Sequence, residues 1–400
     1  MTMAKVYSKA LRQTIEVDRF IGKIRSTSEG PSVIFIGGIH GNEPAGVLAL
    51  DRLISFVQNN KISLKGNLYA LAGSLWALEH GERYHKQDLN RLWTKDRLLQ
   101  IQKGEIAIED KDTIEQIELY KCIKNIITQD EGPFYFIDLH TTSCETSPFI
   151  VMNDSLLNRR FTGLYPLPSI LGIEEYLEGP VLSYINELGY VAFGFEAGQH
   201  DDKSSVDNHF AFCMLSMQFT GLIEKGEIDF EEYYNILSKN SISAQNFFEI
   251  LYRYKIEPSE DFKMLPGYVN FQRIKKGEKL ALSNSKSVIA ETSSRIFMPL
   301  YQAKGSEGFF AIKRVSLFAL KLSAVLRNMG FERLLRYLPG VSYEKQATLK
   351  VNRRIARFFT KQFFHLLGYR SIRLNEDYYL MSNREAASRT KEYEEESWFN

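Results

Sequence analysis

Four short runs of the chain are almost wholly apolar: VIFIGGI at residues 33–39, NLYALAG at 67–73, FYFIDL at 134–139 and YVAFGF at 190–195. A strand with one wet face alternates polar and apolar residues, so short unbroken apolar runs belong to strands covered on both faces. Between them lie stretches with helical spacing at residues 44–58, which open with a proline suited to a first turn, at 110–128 and at 205–225. Buried strands alternating with amphipathic helices predict a layered α/β domain over residues 1–228.

The texture then changes. Brief strand-like runs (NFFEILYRYKI, GYVNFQ, GEKLALS, SVIAE, RIFMPLY, GFFAIKRV) follow one another, broken by Pro266, Gly267, Gly277 and Gly305, which predicts a small all-β domain over 240–316. Residues 317–400 read as a helical C-terminal extension: Ile355, Phe358, Phe359, Phe363, Leu366 and Leu367 share one helical face. The same segment carries Arg353, Arg354, Arg357, Lys361, Arg370 and Arg373, so it is expected to dock on the body with its basic side in water, or else to lie on an anionic membrane surface or grip a partner or a second copy of the chain. The closing segment, SNREAASRTKEYEEESWFN, is polar enough to fray.

Composition narrows the function. Fifty basic residues against forty-nine acidic ones leave no long-range field of the kind a general nucleic-acid binder needs. Cys122, Cys144 and Cys213 are few, odd in number and without CxxC spacing, which fits a reducing compartment rather than a disulfide framework. With no signal-like N-terminus and no apolar run of membrane-spanning length, the expectation is a cytoplasmic protein without a membrane span.

Chemistry gathers at the ends of the predicted strands, where ligands collect in α/β sheets. His40 and Glu43 (GGIHGNE) follow the first strand, and Gly37, Gly38 and Gly41 permit a tight turn that aims both side chains at one point. His140 (DLHTTS) ends the third strand. Two imidazoles and a carboxylate are ordinary zinc ligands, and a catalytic zinc takes three protein ligands and leaves one position open. Asp138 points to the same side of its strand as His140, to orient a ligand or to cap a neighbouring helix. HxxE alone is commonplace; the ordered set with the arginine motif ERYHKQDLNR and with Glu196 in FEAGQ is specific. GGIHG lacks the Lys-Ser or Lys-Thr pair of a phosphate-cradling loop.

This set, spread over residues 30–315, resembles the succinylglutamate desuccinylase and aspartoacylase family, relatives of the zinc carboxypeptidases, with its HGNE, RxxxxxxNR, DLH and ExG elements. The resemblance implies a three-layer αβα domain with a mixed central sheet. It implies one Zn2+ per chain on His40, Glu43 and His140, with Glu196 as proton-transfer residue and Arg83 stabilising the oxyanion. Asn90 and Arg91 would hold a substrate carboxylate, and Tyr301 would reach the site from the β domain. Guanidinium suits such work because it stays charged and can bind a carboxylate through two parallel bonds.

Two departures stand out. No arginine precedes Glu196 where aspartoacylases read an aspartate side chain, and Asn186 is the polar residue nearest that place; the family's NP dipeptide is replaced by GSLWALEHG. His85 and His200 are expected at a polar rim, and Cys144 and Glu145 in the acyl pocket or a plain loop. The resulting expectation is a zinc-dependent hydrolase of a small N-acyl amino acid, with water attacking directly. A carboxypeptidase or peptide amidase using the same site is the alternative, and a non-catalytic binding protein on the same fold a further one.

Overall fold

The computed structural model describes residues 3–241, 246–345, 347–352, 354–355, 361–373 and 377–399. A hairpin of β1 (Ala4–Ser8) and β2 (Gln13–Val17) opens the chain. Next come β3 (Phe20–Arg25), β4 (Ser32–Gly37), β5 (Asn67–Ala72), β6 (Phe134–Thr142), β7 (Phe149–Met152), β8 (Ser169–Leu171) and β9 (Val191–Gln199). Residues 247–314 supply β10 (Phe247–Lys255), β11 (Phe262–Met264), β12 (Arg273–Ile274), β13 (Lys279–Ser283), β14 (Lys286–Ile289), β15 (Ser294–Phe297) and β16 (Glu307–Arg314).

Eleven strands form one sheet in the order β12-β15-β16-β10-β8-β7-β9-β6-β4-β5-β3. Its centre is parallel, β9-β6-β4-β5, while β3 runs antiparallel to β5 and β7 antiparallel to β9, so the sheet is mixed. The apolar run of β4 shows why the domain has three layers. Val33 and Phe35 sit in one cluster with helices Ala45–Asn59 and Lys203–Phe219. Ile34 and Ile36 sit in the other, with helices Lys111–Gln129 and Val181–Glu187. Each such fully buried side chain stabilises the fold by about 1.5–3 kcal/mol, and two covered faces explain why the run has no polar residue.

The strands expected after residue 240 are present, and four of them join the central sheet: β10 pairs with β8 over three residues, and β16, β15 and β12 continue outward. The rest, β11, β13 and β14, form a separate three-stranded sheet.

The helical reading of residues 317–400 needs correction. Helices Leu317–Asn328 and Lys361–Leu366 are there, but β17 (Val341–Lys345), β18 (Thr348–Asn352), β19 (Tyr369–Arg373) and β20 (Tyr378–Asn383) form a four-stranded antiparallel sheet. In β18, buried Leu349 and Val351 alternate with more exposed neighbours, a period-two pattern too short to stand out beside the aromatic spacing that follows. Arg353, Arg357, Phe358 and Phe359 of that spacing lie outside the described residues, while Phe364 and Leu367 are buried in the extension's own core. The closing segment also packs rather than frays: the buried Tyr393 hydroxyl donates to Phe134 O at 2.5 Å and accepts from Val191 N at 3.0 Å, and Trp398 Nε1 donates to the Tyr135 hydroxyl at 3.0 Å.

A buried ionic cluster fastens the extension to the α/β domain. Asp154 accepts from Arg159, from Arg327 Nη2 at 3.0 Å and from Arg384 Nη1 at 2.7 Å. Arg384 also pairs with Glu174 and Glu175. Asp154 directly follows Asn153, which lines the cleft described next.

Candidate metal centre

The turn after β4 places the first two functional side chains. Gly38 has φ +71°, a left-handed conformation open to glycine at little cost, and a Cβ on Gly41 would lie 1.9 Å from Ala77 O. His40 and Glu43 are thereby held at the sheet's carboxyl edge, just before helix Ala45–Asn59. His140 lies on β6 in register with Glu196 on β9, so both side chains leave the same face of adjacent strands.

His40, Glu43 and His140 are all buried and form the one group among the described residues whose ligand atoms, within 4.8 Å of one another, could hold a metal ion. Glu43 Oε1 is 2.9 Å from His40 Nδ1, and Glu43 Oε2 is 3.0 Å from His140 Nδ1. The opposite ring nitrogens are each held by a carboxylate: His40 Nε2 by Asp88 Oδ1 at 3.0 Å and His140 Nε2 by Asp138 Oδ2 at 2.6 Å. A proton on Nε2 donating to each carboxylate leaves the Nδ1 lone pairs facing Glu43, the second contact that metal-ligating histidines ordinarily have. The donor set and its arrangement therefore fit a zinc ion. Of the two roles open for Asp138, the structure shows it orienting His140.

The electrostatics agree. Burial acts to raise the Glu43 carboxyl, but His40 and His140 outweigh it and hold it well below the ordinary carboxylate range. Asp88 is likewise held low, against burial, by His40, Arg83 and Arg91. Burial acts to lower His140, but Asp138 and Glu43 win and raise it well above an ordinary histidine. Glu196, by contrast, has no cation in bonding contact: burial, with Glu43 and Asp138 nearby, pushes it up to about 8, and its Oε2 has no hydrogen-bond partner.

The arginine motif meets the same centre. Three backbone N–H groups, of His85, Lys86 and Gln87, donate to the Asp112 carboxylate, which pins the loop. Arg83 Nη1 then donates to Glu43 Oε1 at 3.0 Å and Nη2 to Asp88 Oδ2 at 3.4 Å. Asn90 accepts from Val181 N at 3.0 Å through its side-chain carbonyl, which leaves the amide N–H pair for other partners. Arg91 Nη2 donates to Glu307 Oε2 at 3.1 Å.

These residues line a cleft of about 1060 Å³, open mouth included: His40, Glu43, Arg83, Asn90, Arg91, His140 and Glu196 all face it. Tyr301 does not, a correction to its expected place. Its hydroxyl donates to Leu265 O at 2.7 Å and accepts from Tyr268 N at 3.1 Å, so it serves the β11 and β13 side of the fold. The next residue, Gln302, faces the cleft instead and contacts Asn42 Nδ2 at 2.9 Å and His200 Nε2 at 3.2 Å. His200 is thus cleft wall, held also by Thr141 Oγ1 at 2.8 Å, whereas His85 packs edge-on against Trp76. Cys144 is buried outside the lining, and Glu145 is outside it too. Sequence reasoning missed Asp88 and Glu307; Asp88 stands inside the DLNR motif, but nothing local marks Glu307.

A mixed α/β sheet with a His–Glu–His group at its strand ends sets the class of fold and of candidate site, and comparison with known proteins adds what the chain is similar to. Residues 29–200 match the succinylglutamate desuccinylase/aspartoacylase catalytic domain. The succinylglutamate desuccinylase of Pseudomonas putida (strain GB-1) is 42% identical over 64 residues, 16% of this chain and 19% of that protein. That of Pseudomonas aeruginosa (strain LESB58) is 37% identical over 118 residues, 30% of this chain and 33% of that protein, so the chain matches these relatives over a fifth to a third of their length. The fold is shared with the crystal structure of succinylglutamate desuccinylase/aspartoacylase from Rhodobacter sphaeroides, at a TM-score of 0.56 and 14% identity over 78% of this chain and 94% of that one. It is also shared with succinylglutamate desuccinylase from Vibrio cholerae, at 0.55 and 16% over 79% and 92%. No helix among the described residues is long and apolar enough to cross a membrane.

Proposed function

We propose that the chain is a zinc-dependent amidohydrolase that cleaves an N-acyl amino acid at the cleft beyond β4, β6 and β9. His40 Nδ1, His140 Nδ1 and the Glu43 carboxylate would hold the ion, with Asp88 and Asp138 fixing the ring orientations. When bound, zinc supplies Lewis acidity, polarising the scissile carbonyl and bringing water within reach of deprotonation near neutral pH.

Glu196 is the base and then the acid. Glu196 lines the cleft and its Oε2 has no competing partner, so its carboxylate can take a proton from attacking water and return it to the departing amine nitrogen. Arg83, braced by Glu43 and Asp88, directs positive charge to the carbonyl oxygen as it gains charge. The Asn90 amide and Arg91 hold the substrate's carboxylate, which takes the place beside Arg91 that Glu307 occupies here.

The observation that carries this reading is the pair of histidines whose outer nitrogens are each held by a carboxylate while their inner nitrogens converge on one glutamate. Chelated protein should fail to hydrolyse a panel of N-acyl amino acids and regain activity with about one equivalent of zinc per chain. Hydrolysis that is unaffected by thorough chelation would refute the proposal, and turnover of peptides but not of N-acyl amino acids would assign the site to a carboxypeptidase or peptide amidase.

A further inference from the structure

Beside its polar centre the cleft carries an apolar stretch, interrupted by Asn153 and Ser183, which bond to each other at 3.3 Å. Asp138 on β6 pairs with Gly194 on β9, and Gly194 with Val151 on β7; His140 pairs with Glu196, and Glu196 with Phe149. Within two strand spacings, about 10 Å, the face that carries the ligands has therefore become apolar. Ile173 and Leu177 after β8, Leu182 of helix Val181–Glu187, and Met298 and Phe310 from the β15–β16 region close over this stretch. Val151, Leu177, Leu182 and Met298 are only partly buried, so they offer apolar surface to whatever enters.

This surface adjoins Arg91. Val181, next to Leu182, donates its N–H to the Asn90 side chain; Gly179 approaches Arg91 O so closely that a Cβ would lie 2.2 Å from it; and Glu307, on the same strand as Phe310, pairs with Arg91. The apolar wall therefore flanks the group proposed to grip a carboxylate. Among the described residues no lysine, and no arginine besides Arg83 and Arg91, lines the cleft. Both are already engaged by carboxylates. Asn186 offers nothing to a second carboxylate either: its amide donates to Leu182 O at 2.8 Å and Ala192 O at 2.9 Å, and its carbonyl accepts from Asn158 Nδ2 at 2.7 Å.

Resting on the function proposed above, we infer that the amino-acid half of the substrate carries an apolar side chain, of the leucine, methionine or phenylalanine kind, and a single carboxylate. The carboxylate meets Arg91 and the Asn90 amide, while the side chain lies against Ile173, Leu177, Leu182 and Phe310. A second carboxylate, as in N-acyl aspartate or glutamate, would lose water there without gaining a cation and would sit near Glu307.

The test is calorimetric binding of N-acetyl-leucine, N-acetyl-phenylalanine and N-acetyl-aspartate to the zinc-loaded full chain carrying Glu196→Gln, with kcat/KM of the wild-type protein on the same three compounds. Burying one large apolar side chain is worth about 1.5–3 kcal/mol, so leucine or phenylalanine should be preferred over aspartate by ~30-fold in both measurements. Leu177→Arg, at a partly buried loop position, should weaken N-acetyl-leucine at least about tenfold and improve N-acetyl-aspartate. Equal or tighter binding of N-acetyl-aspartate, or no binding of the apolar compounds at millimolar concentration, overturns the inference. Preferential apolar binding without Glu196-dependent hydrolysis would uphold the pocket and sink the proposed reaction alone.

Discussion

Replacing Asp138 by asparagine removes one charge and no volume, and the structure fixes what should follow. Asp138 is fully buried; its Oδ2 receives the His140 Nε2 proton at 2.6 Å, and its Oδ1 has no partner. An asparagine that keeps its oxygen toward His140 must put its NH2 where nothing accepts a hydrogen bond, at a cost of about 1–3 kcal/mol. One that turns its NH2 toward His140 drives the ring proton to Nδ1, on the side facing Glu43, and blocks the ligand lone pair. Either way zinc binding weakens, by about 10- to 100-fold on the usual scale for such outer contacts, equivalent to about 1.4–2.7 kcal/mol. Competition between the purified protein and a chromophoric chelator at neutral pH reads this directly, and zinc-saturated variant should keep most of its kcat. Zinc affinity within twofold of wild type, at unchanged fold, would refute the assignment of Asp138 as the group that sets the His140 tautomer.

Further outcomes follow from two other carboxylates, Asp154 and Glu307. Asp154→Asn leaves Arg159, Arg327 and Arg384 without their shared acceptor and should destabilise the protein by about 3–5 kcal/mol in denaturant unfolding; a loss below about 1 kcal/mol would show that the cluster does not fasten the extension. Burial acts to raise the Asp154 pKa, but Arg159, Arg327 and Arg384 hold it far below the ordinary value; its stabilising contribution is therefore complete above about pH 4 and is lost as pH falls toward that depressed value, a pH dependence the asparagine variant should lack. Glu307→Gln removes the internal competitor at Arg91 and should lower KM for carboxylate substrates by about three- to tenfold with kcat little changed; a higher KM would mean instead that Glu307 holds Arg91 in its working position.

What the sequence disclosed, and what it hid, follow the range of the interactions. The central strands were readable because both faces are covered, which strips β4, β6 and β9 of nearly all polar residues before their functional ends. His40 and Glu43 were readable because one turn aims both, and Asp138 because strand period two puts it beside His140. Asp88 meets His40 across 48 residues and Glu307 meets Arg91 across 216, so no local pattern announces either pairing. The continuation of the sheet past residue 240 turns on three paired residues between β8 and β10, too few to leave a mark in composition. Tyr301 and Gln302 are adjacent on an irregular segment, and which of them faces the cleft depends on backbone bends that residue types alone do not set. In the extension, the aromatic spacing around residues 355–367 suggested a helix, while the strands on either side are held by pairings with partners up to 34 residues away.

The account depends on Glu196 moving protons beside an ion held by His40, Glu43 and His140. Metal content and turnover of Glu196→Gln, measured on one preparation, test it most directly. The predicted result is about one zinc per chain, as in wild type, with kcat on N-acyl amino acids lower by about 100-fold or more. A variant that keeps both its zinc and its wild-type turnover would contradict the account.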